Sequence, residues 1–128
     1  MLSSLLSAFL WLSSLLTFVF GGGLYALLSA VVPPRRTHRL AQLACRLILL
    51  AAGQRVRLLK AFPAVEEGPY IYVFNHTSLL DTFVMITVIP EFTGAIGKKE
   101  QFDVPLWGWI LRRWGAVPID RKDAKDAI

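Results

Sequence analysis

The sequence has 128 residues, of which 55% are hydrophobic and 18% charged, and its formal net charge is +5. This apolar content excludes a disordered chain, and the single cysteine, Cys45, excludes a disulfide scaffold and a multi-cysteine metal site. The length suits one domain with an appendage rather than two full domains. The net positive charge lies in residues 1–60, which carry seven basic and no acidic side chains, whereas residues 61–128 carry seven basic and nine acidic ones. Because this block follows an apolar segment directly, an anionic membrane surface is a better partner than nucleic acid, which we do not expect.

Residues 1–34 contain no charged side chain. Leu2–Phe20 as a helix is about 30 Å long, which matches the bilayer core. Gly21–Gly23 then interrupts the run and Leu24–Val32 extends it, before Pro33-Pro34 ends it. Two interpretations remain open: one long tilted helix with a soft point at the glycines, or a spanning or re-entrant helix that ends there.

The charges around this segment predict an uncleaved anchor. A cleaved signal peptide, the alternative, requires basic residues before the apolar core, and none are present. Arg35, Arg36 and Arg39 instead follow it, and positive charge marks the cytoplasmic side. We therefore expect residues 1–34 to be a transmembrane anchor in the cell (inner) membrane, with the C-terminal part facing the cytoplasm.

Residues 35–53 read as a basic helix beside the membrane. Within Leu40–Ala52 an apolar stripe is predicted at helical spacing, opposite a polar side. The stripe consists of Leu40, Leu43, Leu47 and Leu50, and the polar side of Arg39, Gln42 and Arg46. The helix could lie in the membrane interface or pack as an ordinary helix. Cys45 is expected to be a buried thiol and not a nucleophile.

Residues 54–128 alternate between strand-like and helix-like patterns, which favours an α/β fold with a largely parallel sheet. The predicted strands are Arg55–Lys60, Tyr70–Phe74, Phe92–Ile96 and Ala116–Ile119, with a loop over Phe62–Pro69. The predicted helices are Leu79–Ile89, closed by Pro90, and Val104–Trp114, opened by Pro105 and closed by Gly115. Since 75 residues are few for such a sheet, we expect the front part of a longer domain.

His76 and Asp81 are the candidate reactive pair, because they follow the predicted strand Tyr70–Phe74 and ligands bind beyond the carboxyl ends of strands. On one continuous helix the two side chains would point about 140° apart. A turn at Ser78 would let Asp81 return toward His76, and a His–Asp pair is a competent general base. Alternatively, Ser78-x-x-Asp81 is a capping box and Asp81 is purely structural.

Three short blocks resemble the phospholipid/glycerol acyltransferase family, which includes the 1-acyl-sn-glycerol-3-phosphate acyltransferases. Gly68–Asp81 contains the family signature N-H-x-x-x-x-D. Lys98–Gly108 is similar to the K-x-x-L-x-x-x-P-x-x-G block, with Gln101 in place of the leucine, and Ile119–Arg121 matches the I-D-R block. The family's Glu-Gly-Thr-Arg block does not occur in this sequence. The resemblance covers about residues 56–121 and implies the front part of a mixed α/β acyltransferase domain.

The resemblance implies transfer of a fatty acyl group from a thioester donor to the hydroxyl of a lysophospholipid. His76 would take the proton of that hydroxyl and Asp81 would orient His76. Asn75 belongs to the same block as a substrate-binding residue, and Lys98 and Arg121 are candidates for the acceptor's phosphate.

No metal and no cofactor are expected, since acyl-CoA or acyl carrier protein is the donor substrate. The expected partners are membrane lipid, the lysophospholipid and the thioester donor. The alternative is a catalytically incomplete, membrane-anchored lipid-binding or interaction module. In the last helix we expect Trp107 and Ile110 in the core and Trp114 at the membrane interface.

Overall fold

A computed structural model describes residues 2–62 and 70–120. Four helices and one small parallel sheet make up this part of the chain. The elements in chain order are α1 (Leu2–Val31), α2 (His38–Ala51), α3 (Asp81–Val88), β1 (Ile96–Lys98), a 3₁₀ helix (Lys99–Asp103), α4 (Trp107–Trp114) and β2 (Val117–Ile119).

α1 is a single helix that continues through Gly21–Gly23. The interpretation as one long helix is therefore confirmed, and the one that ends it at the glycines is wrong. The helix stops before Pro33-Pro34, as predicted, because neither proline supplies a backbone N–H. By length and composition, Ser3–Val31 is the one candidate membrane span in the described part of the chain.

α2 packs antiparallel on α1 and forms a helical hairpin with it. At one end the hydroxyl of Ser13 donates to the carbonyl of Ala51 at 2.7 Å. At the other end the hydroxyl of Thr37 lies 3.4 Å from that of Tyr25. Hydroxyl side chains of α1 thus form hydrogen bonds at both ends of the hairpin, in addition to the apolar packing between the two helices.

The packed face of α2 is not the predicted leucine stripe. The buried apolar side chains are Ala41, Cys45, Ile48 and Leu49. The stripe leucines Leu40, Leu43, Leu47 and Leu50 are all exposed. Small side chains at two of the buried positions let the helices approach closely, so the leucines extend the exposed apolar surface of α1 instead. Burial raises the pKa of the Cys45 thiol to about 12, in agreement with an inert side chain.

Two predicted strands are wrong. Arg55–Lys60 and Tyr70–Phe74 form no strand, and Ile71 and Val73 are 92% and 88% exposed. A strand needs a neighbouring backbone to satisfy its N–H and C=O groups, and no described segment pairs with either run. Tyr72 is instead held through its side chain, whose hydroxyl donates to Glu91. The predicted loop over Phe62–Pro69 lies almost entirely outside the described residues.

The parallel sheet expected for the second half is present in residues 96–119. β1 and β2 pair in parallel, with Gly97 opposite Pro118, and the 3₁₀ helix and α4 connect them. β1 begins four residues after the predicted start of Phe92–Ile96, whereas β2 begins one residue after Ala116 and ends at Ile119 as predicted. The helices predicted at 79–89 and 104–114 are confirmed as the shorter α3 and α4.

The segment from Phe102 to Gly115 packs around a small core of Phe102, Leu111 and Ala116. A Cβ atom on Gly108 would lie 2.0 Å from the carbonyl oxygen of Phe102, so only glycine fits there. Leu106, just before α4, has φ 60° and ψ −55°. The N–H of Trp107 donates across it to the carbonyl of Pro105 at 2.6 Å, which makes a strained γ-turn. Gly115 closes α4 with φ 83°, as its position predicts.

Candidate active site

A tight turn precedes α3 and is organised by one carboxylate oxygen. Oδ2 of Asp81 accepts hydrogen bonds from the backbone N–H groups of Thr77 and Ser78, each at 2.7 Å. The hydroxyl of Ser78 accepts from the N–H of Leu80 at 3.1 Å. α3 begins at Asp81, two residues after the predicted start at Leu79, and Leu80 rather than Ser78 is its N-cap. The reciprocal bonds resemble a capping box, so Asp81 does have the structural role considered for it.

The same oxygen also contacts the histidine. Nδ1 of His76 lies 3.1 Å from Oδ2 of Asp81, within the distance expected for a catalytic pair. The turn brings the two side chains together, as a continuous helix over residues 76–81 would not. Structural and orienting roles for Asp81 therefore coexist.

This contact determines which nitrogen of His76 is available. A carboxylate only accepts hydrogen bonds, so the hydrogen of a neutral imidazole lies on Nδ1 and the lone pair on Nε2. The side chain of His76 is 48% exposed, and that of Asp81 is 22% exposed. A group that approaches from outside thus meets a histidine whose tautomer is already set.

The charge on Asp81 is secured by its surroundings. Backbone N–H groups of Ser78 and Thr77, and then His76, hold the pKa of this carboxyl below its ordinary value of 3.8. Asp81 therefore remains ionised at neutral pH and stabilises the imidazolium that forms when His76 takes a proton.

An apolar groove borders this turn. Its volume is about 240 Å³, and Leu10 and Trp11 of α1 line one side while Leu80 lines the other. Leu80 immediately precedes Asp81, so the groove borders the turn, although neither His76 nor Asp81 lines it. The apolar side chains in its walls suit an alkyl chain. The sequence alone does not predict this groove, because residues 7–14 and 80 are far apart in the chain.

Two other predicted site residues, Asn75 and Lys98, lie in the described part of the chain, and neither forms a hydrogen bond or ion pair with His76 or Asp81 there. Asn75 is exposed. Nζ of Lys98, on β1, lies 3.5 Å from Oε1 of Glu100. Arg121 lies outside the described residues.

Two arginines of α4 bind carbonyl oxygens. Nη1 of Arg112 donates to the carbonyl of Phe102, and Nε of Arg113 to that of Ser29, both at 2.6 Å. Trp114, expected at the interface, is half-buried and donates to the carbonyl of Thr93 at 2.9 Å. Trp107 packs against the core as predicted, and Ile110 is half-buried. No sequence signal reveals such carbonyl partners, since they depend on which distant backbone comes near.

Comparisons with known proteins place these features in one family. The model of the family described as Acyltransferase matches residues 53–128. A 1-acyl-sn-glycerol-3-phosphate acyltransferase of Helicobacter pylori is 30% identical over 70% of this chain and 37% of its own length. The alpha form from Mus musculus is 37% identical over 65% of this chain and 30% of its own length. The match thus spans little more than a third of these relatives at most. No solved structure matches the chain.

Proposed function

The chain belongs to the acyltransferase family, and we propose that it moves a fatty acyl group from a thioester to the hydroxyl of a lysophospholipid such as 1-acyl-glycerol-3-phosphate, in phospholipid biosynthesis. The observation that carries the proposal is the 3.1 Å contact between His76 and Asp81. The names of the relatives, 1-acyl-sn-glycerol-3-phosphate acyltransferase, support the choice of acceptor.

In the proposed reaction Nε2 of His76 accepts the proton of the acceptor hydroxyl. The resulting oxygen nucleophile attacks the thioester carbonyl, so that a C–O bond forms and the C–S bond breaks. The imidazolium then returns its proton to the leaving thiolate, which departs as a thiol. Asp81 stabilises the imidazolium throughout, and no residue of the enzyme is acylated.

Substrate binding is assigned from the family blocks together with the groove. The groove beside Leu80 holds an acyl chain, with Leu10 and Trp11 as its apolar wall. Asn75 contacts substrate next to the base, and Lys98 and Arg121 hold the acceptor's phosphate. The donor is acyl-CoA or acyl carrier protein, and neither a metal nor a further cofactor takes part. Residues 54–128 are then the front part of a largely parallel α/β domain.

The hairpin of α1 and α2 attaches the protein to the membrane. α1 contacts the rest of the chain from Ser13 to Ser29, so only its opposite face is available to lipid. That face is apolar, and the exposed leucines of α2 continue it. We therefore place residues 1–34 and 35–53 at the inner membrane with the reactive pair on the cytoplasmic side, consistent with Arg35, Arg36 and Arg39 after the apolar run.

Substitution of the proposed base tests this function. In the intact protein, His76→Ala should reduce acyl transfer from acyl-CoA to 1-acyl-glycerol-3-phosphate by about 10²–10⁴-fold, since a general base contributes that much. The side chain is half-exposed, so the thermal melting curve should stay unchanged. Turnover near the wild-type rate in His76→Ala would contradict the proposed mechanism.

The second candidate, a lipid-binding module without catalysis, is favoured by one observation: Lys98 pairs with Glu100 and not with the reactive turn. The same assay separates the two functions. Wild-type protein that binds lysophospholipid but transfers no acyl group would support the module.

A further inference from the structure

A second cavity lies at the far end of α1 from the reactive pair. It has a volume of about 410 Å³ and lies between the turn at Pro33-Pro34 and the end of α4. Arg35 and Arg113 are its charged lining residues, and Phe92 and Trp114 are its aromatic ones. This volume is in the range of small-molecule sites.

Arg113 is held in place by the end of α1. Its Nε donates to the carbonyl of Ser29 at 2.6 Å and its Nη2 to that of Ala30 at 3.3 Å. These bonds satisfy terminal carbonyls and oppose the negative end of the helix dipole. Nη1 has no hydrogen-bond partner in the described part of the chain, so this guanidinium is fixed on one side and free on another.

Arg35 rests on a rigid aromatic wall. Its guanidinium carbon is 5.9 Å from the centre of the Phe92 ring. That ring packs against Trp114, with centres 4.8 Å apart, and edge-on against the buried His38 at 6.0 Å. No hydrogen bond to Arg35 occurs within residues 2–62 and 70–120. A guanidinium stacked on a ring keeps its N–H groups available in its own plane.

The charge at this cavity is unbalanced. Its lining carries two guanidinium groups and no carboxylate. Residues 1–60 contain no acidic side chain, and Arg36 and Arg39 add positive charge nearby. Glu91, next to Phe92, accepts a hydrogen bond from Tyr72 instead. Two forked cations with free N–H groups match the oxygen atoms of a phosphate.

The position of the cavity indicates where that phosphate comes from. Leu27 and Val31, in the last turns of α1 before Pro33, are 73% and 85% exposed. A lipid whose phosphate lay between Arg35 and Arg113 would find an apolar surface for its chains on α1. From Ser14, beside the reactive turn, to Ser29 the helix rises by about 22 Å, so this lipid is not the reacting one.

We propose that the cleft between Arg35 and Arg113 binds the phosphate of an anionic bilayer phospholipid and so docks the protein on the membrane. The inference rests on the proposed membrane attachment, but not on the proposed chemistry at His76. The guanidinium groups of Arg35 and Arg113 donate hydrogen bonds to the phosphate oxygens. This interaction adds to the general attraction of a basic surface to anionic lipid.

Vesicle binding by the intact protein tests the cleft, with Arg36→Gln as the matched control. Arg36 is exposed, belongs to the same basic block and does not line the cleft. On vesicles of phosphatidylcholine with phosphatidic acid at physiological salt, Arg36→Gln should weaken binding about fivefold, as any basic residue near an anionic surface does. Arg35→Gln should weaken it about 10- to 100-fold, because it also removes charge-assisted hydrogen bonds. Equal losses in the two variants would overturn the proposal.

Two further arms separate the lipid from a free anion and from the chemistry. Inorganic phosphate at millimolar concentration should leave the wild type on the vesicles, and its release would make the cleft a free-phosphate site and overturn the lipid assignment. Acyl transfer in detergent micelles should be the same for Arg35→Gln and wild type. A loss of activity there would show that the cleft serves the reaction and not docking, whereas inactivity of the wild type would affect only the proposed function.

Discussion

The turn over residues 75–81 and the segment over residues 102–115 each overlap a block that resembles the family, Gly68–Asp81 and Lys98–Gly108, but they are built in opposite ways. The turn is largely exposed and held by hydrogen bonds between near neighbours, three of which converge on Oδ2 of Asp81. The segment 102–115 is held by burial and by a backbone contact at Gly108 that leaves no room for a side chain.

This difference separates chemistry from support. In the turn the imidazole of His76 is available to solvent, and its neighbours determine its tautomer. In the second segment the strained Leu106 and the crowded Gly108 offer no reactive group, and they fix the path of the chain into α4 and β2. Substitutions in the turn should therefore change turnover, and those in the segment should change stability.

Asp81→Asn is expected to have the largest effect. An amide can present its N–H₂ group to Nδ1 and favour the wrong tautomer, so activity should fall by up to about 10⁴-fold. Ser78→Ala is the matched control, because it removes only the bond from Leu80 and should cost about 0.5–1.5 kcal/mol of stability. Acyl-transfer rates and melting curves on both variants decide the matter. If Ser78→Ala lost as much activity as Asp81→Asn, Asp81 would act as a cap alone.

Gly108→Ala should destabilise the fold by at least about 3 kcal/mol, because the new methyl group overlaps the backbone of Phe102, which cannot rotate away. Gly94→Ala is the control, since a Cβ there meets nothing within 4 Å. Its effect should stay within about 0.5 kcal/mol. Urea unfolding followed by circular dichroism measures both. Similar midpoints for the two variants would show that the close contact at Gly108 is not a constraint.

At Leu106 a glycine variant should be more stable than an alanine variant, which is the reverse of the usual order. Both Leu106→Ala and Leu106→Gly lose the side chain, but only glycine adopts φ 60° without strain. That strain costs about 1–3 kcal/mol. Alanine ordinarily makes a protein more stable than glycine by only about 0.4–1 kcal/mol, because it restricts the unfolded chain. The glycine variant should therefore melt higher than the alanine variant. The opposite order would argue against a strained γ-turn.

The smallest expected effect is the contribution of Asp81 to the pH dependence of folding stability. Because the pKa of Asp81 is lowered in the folded chain, its contribution to stability is present above the ordinary value of 3.8. It is lost only as the pH falls through the lower folded value. Titration of the Asp81 carboxyl followed by ¹³C NMR should therefore give a midpoint below 3.8. A midpoint above it would mean that the backbone bonds to Oδ2 do not form in solution.

Helices were easier to predict than strands, for a physical reason. α1, α3 and α4 satisfy their backbone groups internally, so local pattern, proline and glycine locate them. A strand depends on a partner elsewhere in the chain. β2 has that partner in β1, whereas Tyr70–Phe74, whose composition is more strand-like, has none among the described residues. The contact between His76 and Asp81 was predictable because a five-residue turn is itself local.

Local chemistry in the sequence was thus sufficient for an apolar helix over Leu2–Phe20, for the end of α4 at Gly115 and for the approach of Asp81 to His76. The continuation of α1 through Gly21–Gly23 was left open by the sequence and decided by the structure. Only the tertiary structure decided which face of α2 is buried, where the carbonyl partners of Arg112 and Arg113 lie, and that Gly108 meets Phe102. These depend on the distance between segments far apart in sequence, and that distance is set when whole elements pack. The cleft between Arg35 and Arg113 has the same origin, because 77 intervening residues separate its two cations in the chain.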